Sequence, residues 1–421
     1  MHYEECSQST KWQLSSQAEL NSLRERTSRR ARDELSHDGI GSSSVDGDDG
    51  DGGDTKMEDV PNREGEGGDS QTNRKVYGFA ETRGPLSKGT SQGEHMTSAQ
   101  QLMQESDADY GPTHTSNSRG HHPLLTPVDE ATLIAFYCSK IPLLIGPHAT
   151  LPRCRRDAKV AATACLLFRR FYLSNSVTMH DPKSMLAAAA FLAAKVEDVM
   201  ILVGYLCDGT KEMNAPVPLS DILDAELRFI KGIDFDLLVF SPYKTVLSYT
   251  EDLRTFLKSE KGRGLITFSG QDGEQRQLAG EDLRPIHDAA MKICNDVIVS
   301  DIPLLFAPGE VGLAALLVAN EHVSEGGDES ASSVDIMGYI RLRFHGTVEA
   351  TAIDAVTQRV TQMSQMIREL KEGKHGCGNH DVNMDTLKGL NKKLKKCRAW
   401  GKVDKKEGKK KKKKRKKVDD A

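Results

Sequence analysis

Long apolar runs are missing from this 421-residue sequence. The longest, Met185 to Ala194, falls far short of the ~20 residues that a membrane-spanning helix needs. No CxxC pair occurs either. The eight cysteines (Cys6, Cys138, Cys154, Cys165, Cys207, Cys294, Cys377 and Cys397) are scattered, several within apolar helical stretches. That pattern fits reduced, buried thiols rather than a disulfide framework. The first residues are polar and show no signal-peptide pattern, so the expectation is a soluble intracellular protein. No Walker loop and no HExxH is present, and no catalytic constellation stands out, so an enzyme is not expected.

Net charge is only −4, yet the two ends are opposite in character. Asp46 to Asp54 reads DGDDGDGGD. Near the other end nine basic residues run without a break: Lys409, Lys410, Lys411, Lys412, Lys413, Lys414, Arg415, Lys416 and Lys417. Blocks of one charge repel themselves and read as tails. The apolar fraction, 38%, is low for a globular chain (~45–50%), which fits a normal core diluted by unstructured sequence. Residues 36–120, rich in Gly, Ser, Asp and Glu, are expected to be a disordered linker.

The rest is helical in pattern. Lys11 to Leu35 reads as one amphipathic helix, with Ser15 and Ser16 as candidate caps and Leu20 and Leu23 as its apolar stripe. From about residue 121 the periodicity becomes strong. Thr126-Pro127 opens a helix carrying Leu133, Ile134, Tyr137, Ile141 and Leu144. Ala158 to Leu173 follows, then MLAAAAFLAAKVED from Met185, apolar on every face until its last turn. Other helices must therefore surround it. A short helix near Val199 to Cys207 and one capped by Ser220 come next, and Ser241-Pro242 opens another. No alternating β-branched run is long enough for a sheet.

The pattern then repeats. Pro182, Met185, Ala188, Ala189, Phe191 and Ala193 can be laid on Pro308, Val311, Ala314, Ala315, Leu317 and Ala319. Asp282 to Val299 echoes Ala158 to Leu173. Two copies of a helical unit are expected, each with a central Ala-rich helix. The second carries polar insertions near 259–280 and 323–333, then continues through Val334 to Phe344 and a helix from about Thr347 to Lys371; Leu387 to Cys397 adds a last helix.

At TACLLFRRFYLSNSV (Thr163 to Val177), MLAAAAFLAAKVED (Met185 to Asp198), ILDAELRFIKGIDFDLLVFSPY (Ile222 to Tyr243) and SDIPLLFAPGEVGLAAL (Ser300 to Leu316) the chain resembles a cyclin. FRRFYLSNSV, SDIPLLFAP and the N-terminal KWQLSSQAELNSLR point within that family to the cyclin H type. The resemblance implies an all-α fold of two tandem five-helix cyclin boxes with flanking terminal helices. The expected division is 1–35 N-terminal helix, 36–120 linker, 121–258 first box, 281–372 second box, and 373–421 C-terminal helix with the Lys-rich tail. The implied partners are the catalytic subunit of a cyclin-dependent kinase, an assembly factor and the core of the transcription and repair factor TFIIH. No cofactor, no metal, no membrane and no sequence-specific nucleic-acid contact is implied. The long linker and the insertion near 259–280 depart from the family pattern.

On the residues alone, Lys195 is a cation at a helix C-terminus, where it favours the helix dipole. Glu226 lies on the stripe of Ile222, Ile230 and Ile233, where a carboxylate needs either a partner or an edge position. By resemblance, Lys195 and Glu226 match the pair with which cyclins hydrogen-bond the kinase. Val196, Ile230, Phe235 and Leu237 match the apolar positions that receive the kinase's regulatory helix, although each also reads as core. His375, Cys377 and His380 lack a fourth metal ligand and read as an exposed turn. The run Lys409 to Lys417 is expected to be a nuclear localisation signal, which places the protein in the nucleus. Two other readings stay open. A cyclin of the C, L or T type would lack the N-terminal helix and FRRFYLSNSV. A TFIIB-like basal factor would carry an N-terminal zinc ribbon, and residues 1–120 hold only Cys6.

Overall fold

The computed structural model describes residues 3–40, 125–268, 279, 282–325, 332–372 and 383–400. These residues belong to one unit, 1–35 with 96–421; of a second unit, Ser36–His95, they include only the helix end at 36–40. Of the expected linker 36–120, residues 36–40 instead continue a helix, and 41–120 lie outside the described residues, as do His375 to His380 and the run Lys409 to Lys417.

The described part is almost wholly helical. A first group comprises α3 (Pro127–Ile145), α4 (Ala158–Ser174), α5 (Pro182–Val196), α6 (Val203–Glu212) and α7 (Leu219–Gly232), and α5 touches every other member. Ala187 to Ala190, Ala193 and Ala194 of α5 are fully buried. Small side chains let the neighbouring backbones approach closely, which is why a helix with no polar face is stable only at the centre. A second group repeats the plan around α11 (Pro308–Glu325), which packs on α8 (Tyr243–Leu257), α9 (Arg284–Ile298), α12 (Ile336–Phe344) and α13 (Ala350–Lys371), with the short α10 (Ile302–Leu305) between α9 and α11. Ala314, Ala315 and Ala319 take the buried alanine positions there. The sequence reading placed Tyr243–Leu257 at the end of the first unit; its packing is on α9 and α11. The groups meet where α4 contacts α9.

Caps fix the ends. Thr126 accepts from the Asp129 amide while Asp129 accepts from the Thr126 amide, a complete capping box with Pro127 at the first helical position. Asp181 caps α5 through the Lys183 amide. Two expected starts move. The short helix begins at Val203, because the chain first turns at Asp198. Helix α7 begins at Leu219 after Pro218, and the Ser220 hydroxyl donates to Asp221 instead of capping. Ile266–Phe268 (β1) and Ser332–Val334 (β2) form one antiparallel pair at the edges of the two insertions, too short to show as alternation in the sequence.

The N-terminal region is not one helix from Lys11. A turn, α1 (Ser7–Thr10), precedes an irregular stretch, and α2 runs Gln17–Ile40. The two serines stop the helix at its start: the Ser16 hydroxyl accepts from the Glu19 amide, and Glu19 accepts from the Ser15 amide and hydroxyl. Trp12, Leu14, Leu20 and Leu23 are buried in the common core. At the other end α14 (Met384–Cys397) packs on α3, with Lys393 paired to Asp129 and the Trp400 indole donating to the Val177 carbonyl. All seven described cysteines are buried. No helix among the described residues is long and apolar enough to cross a membrane.

Candidate protein-docking site

The site grows from the ends of α5 and α7. Helix α5 stops in a left-handed turn at Asp198 (φ +54°), with Val199 donating to the Ala194 carbonyl. Aspartate is one of the few non-glycine residues that takes this conformation. Two pins hold the turn. Glu197 accepts from the Thr163 hydroxyl at 2.6 Å and pairs with Lys159, and Arg156 donates to the Met200 carbonyl at 2.7 Å. The turn opens an apolar groove of 440 Å³ lined by Phe191, Ala194, Lys195, Asp198, Val199, Met200 and Ile201.

At its lip the Lys195 ammonium meets Glu226 of α7 at 2.7 Å and lies 4.1 Å from the centre of the Phe191 ring. The lysine side chain is 52% exposed and the glutamate 13%, so the carboxylate is fixed and the ammonium still faces solvent. In the free chain such a half-exposed pair stabilises by only ~0–1 kcal/mol. Its value lies in offering aligned donors and a carboxylate beside apolar surface. Lys195 is also in the last turn of α5, where a cation suits the helix dipole, and Glu226 is at the edge of the buried stripe.

That buried stripe is Ile222, Ala225, Phe229 and Ile233. Ile230, expected on it, sits half-buried beside it. Val196 and Leu237 are likewise half-buried against the core. Phe235 departs from a core role altogether, at 67% exposed. The backbone ties these three positions together: Phe235 donates to the Ile230 carbonyl and Leu237 to that of Phe235, both at 3.0 Å. Asp234 and Phe235 are consecutive left-handed residues, φ +52° and +61°.

The sequence reading missed the larger apolar surface. Leu219, Leu223 and Leu227 recur every fourth residue along α7 and are exposed, as are Met200 (85%), Leu202 and Leu238. Helix α7 carries two apolar stripes; periodicity finds both but does not say which one faces the core. An exposed leucine row on the helix that pairs with the groove's Lys195 is a candidate docking face.

FRRFYLSNSV proves to be the hub behind this face. Arg169 donates to Asp301 and to the Val299 carbonyl of the second group, and Asp301 also takes both guanidinium nitrogens of Arg24 from α2 at 2.7 and 3.0 Å. Burial alone would raise the Asp301 carboxyl; Arg24 and Arg169 outweigh it and hold the group below its ordinary value. Arg170 reaches the Leu238 carbonyl and Gln8, and burial lowers its guanidinium to about 10. Asn175 donates to the Phe171 carbonyl, and Ser176 donates to the buried Glu130 of α3.

No protein-family model matches the chain. Among curated proteins it is similar to cyclin CCL1 of Saccharomyces cerevisiae, 29% identical over 197 residues, 47% of this chain and 43% of the relative. It is also similar to cyclin-H1-1 of Arabidopsis thaliana, 28% identical over 46% of this chain and 49% of the relative. Cyclin-H of Xenopus laevis is 31% identical over 46% and 53%. The chain thus spans about half the length of the curated relatives it matches. Among solved structures, a chain in the CAK complex of Chaetomium thermophilum bound to ATP-gamma-S matches with a TM-score of 0.57 at 20% identity, over 94% of this chain and 88% of that one. That likeness is one of fold.

Proposed function

We propose that this cyclin H-like chain is the regulatory subunit of a cyclin-dependent kinase of the CDK-activating type, working with an assembly factor and the TFIIH core in the nucleus, and that it performs no chemistry itself. The observation that carries the reading is the Lys195–Glu226 pair at 2.7 Å beside an apolar groove and an exposed leucine row. A kinase helix seated there would lay its apolar face on Val196, Ile230, Phe235 and Leu237, with the charged pair fixing its register. Docking would push that helix inward, complete the kinase's own Lys–Glu pair and order its activation loop, which raises the population of the active state. We read the two helical groups as two boxes and take Tyr243–Leu257, expected in the first, into the second because it packs on α9 and α11. The run Lys409 to Lys417 fits nuclear import. A GxSxG run, Gly89 to Gly93, does occur in the sequence, but a nucleophile elbow follows an apolar strand and this run lies in Gly-, Ser- and Thr-rich sequence.

The test is direct binding of the purified full chain to the catalytic subunit of the Chaetomium thermophilum complex, with kinase activity followed in parallel. Lys195→Ala with Glu226→Ala should weaken binding by tens- to thousands-fold, as expected when interfacial charges worth ~2–5 kcal/mol are truncated, while helicity is unchanged. Normal binding and activation by the double variant would overturn the assignment.

A further inference from the structure

We infer that the short segment Tyr3–Leu14 is a positioning element for the docking face: it holds the turn from Asp234 to Phe240 in the conformation that presents Phe235. The inference deepens the kinase-docking reading and rests on it. Two consecutive left-handed residues, neither a glycine, make this turn unusual. The end of α7 supplies only part of its support. Phe235 donating to the Ile230 carbonyl and Asp234 to that of Lys231 are ordinary helix-end bonds, and a helix end of this type requires one left-handed residue, not two. Strained backbone of this sort persists where its surroundings over-determine it.

The surroundings come from more than 220 positions away. The Gln8 amide clasps Phe240 from both sides, accepting from its N–H at 2.7 Å and donating to its carbonyl at 3.1 Å. The Trp12 indole donates to the Asp236 carboxylate at 3.2 Å. Lys11 pairs with Asp236 and, at 3.2 Å, with Asp234 itself. The Tyr3 ring meets Phe240 edge-on at 5.7 Å. Behind the turn Arg170 joins Gln8 to the Leu238 carbonyl. Leu14 then donates to the Leu304 carbonyl at 2.7 Å, anchoring the segment in the second group. Every long-range polar contact of Gln8, Lys11 and Trp12 in this network converges on 234–240 or on the arginine behind it. A segment that served only to cover apolar surface would have no need of that convergence.

The experiment compares the full chain with Lys11→Met plus Trp12→Phe, which keeps most of the packing and removes the polar contacts. Hydrogen exchange of the 235–240 amides in the free chain should speed up at least tenfold, while exchange along α5 stays as it was. Affinity for the Chaetomium thermophilum catalytic subunit should fall roughly tenfold. Adding Asp234→Gly, which removes a Cβ that the left-handed φ penalises, should recover part of that affinity; a general loss of stability would not be recovered this way. Unchanged exchange at 235–240, or faster exchange with unchanged affinity, overturns the inference. If the double variant unfolds, Lys11→Met alone carries the same exchange comparison. Lys195→Ala with Glu226→Ala serves as the parallel arm: normal binding there would refute the docking face, while the exchange result at 235–240 is read in the free chain independently of it.

Discussion

Asp301→Asn is the perturbation that the buried charges make most costly. The side chains of Asp301 and Arg169 are each 1% exposed, and Asp301 is the carboxylate shared by Arg169 and Arg24. The Nε of Arg169 already has no partner. Neutralising the aspartate leaves a guanidinium in the core with no counter-charge, which costs ~3–5 kcal/mol. Against a total stability of ~5–15 kcal/mol this is a fifth or more. With a urea dependence of ~1–3 kcal/mol per molar, the unfolding midpoint followed by circular dichroism should fall by at least ~1 M. Arg24, part-exposed, can find water, so Arg24→Met should cost less, ~1.5–3 kcal/mol. Replacing the set as a whole, Arg24→Met and Arg169→Met with Asp301→Leu, should be milder than Asp301→Asn alone, because no uncompensated charge remains. If Asp301→Asn shifts the midpoint by less than experimental error, the charge set does not hold the two groups and α2 together. Because the Asp301 carboxyl is depressed in the fold, its contribution is full above the ordinary aspartate value and is lost as pH falls through the lower folded value.

Leu227→Glu, on the exposed row of α7, should leave the thermal melt within ~0.5 kcal/mol of the parent yet weaken binding to the catalytic subunit; unchanged binding would remove that row from the docking face. Gly232→Ala would drive a Cβ against the edge of the Phe171 ring, which stacks on Phe229 at 4.9 Å, and should cost ~1–3 kcal/mol by overpacking, read as a lower unfolding midpoint. Burial, with Arg228 adding to it, lowers His180 to about 4. The unfolded chain therefore binds the proton first: stability is full above pH ~6.5 and declines by up to ~1.4 kcal/mol per pH unit as pH falls toward about 4. His180→Phe should flatten that slope.

Much of this architecture was legible because it is written in local periods. The Ala-rich helices had to be central, since they offer no polar face, and α5 and α11 are. Thr126 with Asp129 announced a helix start by side-chain chemistry alone. Lys195 and Glu226 could be singled out, one as a late-helix cation and the other as a carboxylate beside an apolar stripe, and the structure joins them. What could not be read is what depends on which of two equivalent choices the tertiary fold makes. Ile222, Ala225, Phe229 and Ile233 face the core, and Leu219, Leu223 and Leu227 face outward, although both rows are apolar at helical spacing. The left-handed pair at Asp234 and Phe235 had no glycine or asparagine to betray it. The residues that contact this turn, Gln8, Lys11 and Trp12, lie too far away along the chain for any local rule to find.

The same limit governs FRRFYLSNSV, and there the structure supplies the reason for the residue order. Adjacent residues of a helix point ~100° apart. Arg169 and Arg170 therefore leave α4 in different directions, one to Asp301 in the second group, the other to Leu238 and Gln8 at the docking turn. A lone arginine could serve one of these places. Two in succession, on a helix buried on every side, fasten the second group and the N-terminal segment to the same turn of α4. Five residues later Asn175 and Ser174 reach the Gly232 carbonyl at the end of α7. The helix that carries Glu226 is thus held at its end by the same segment that fastens α2 and the second group.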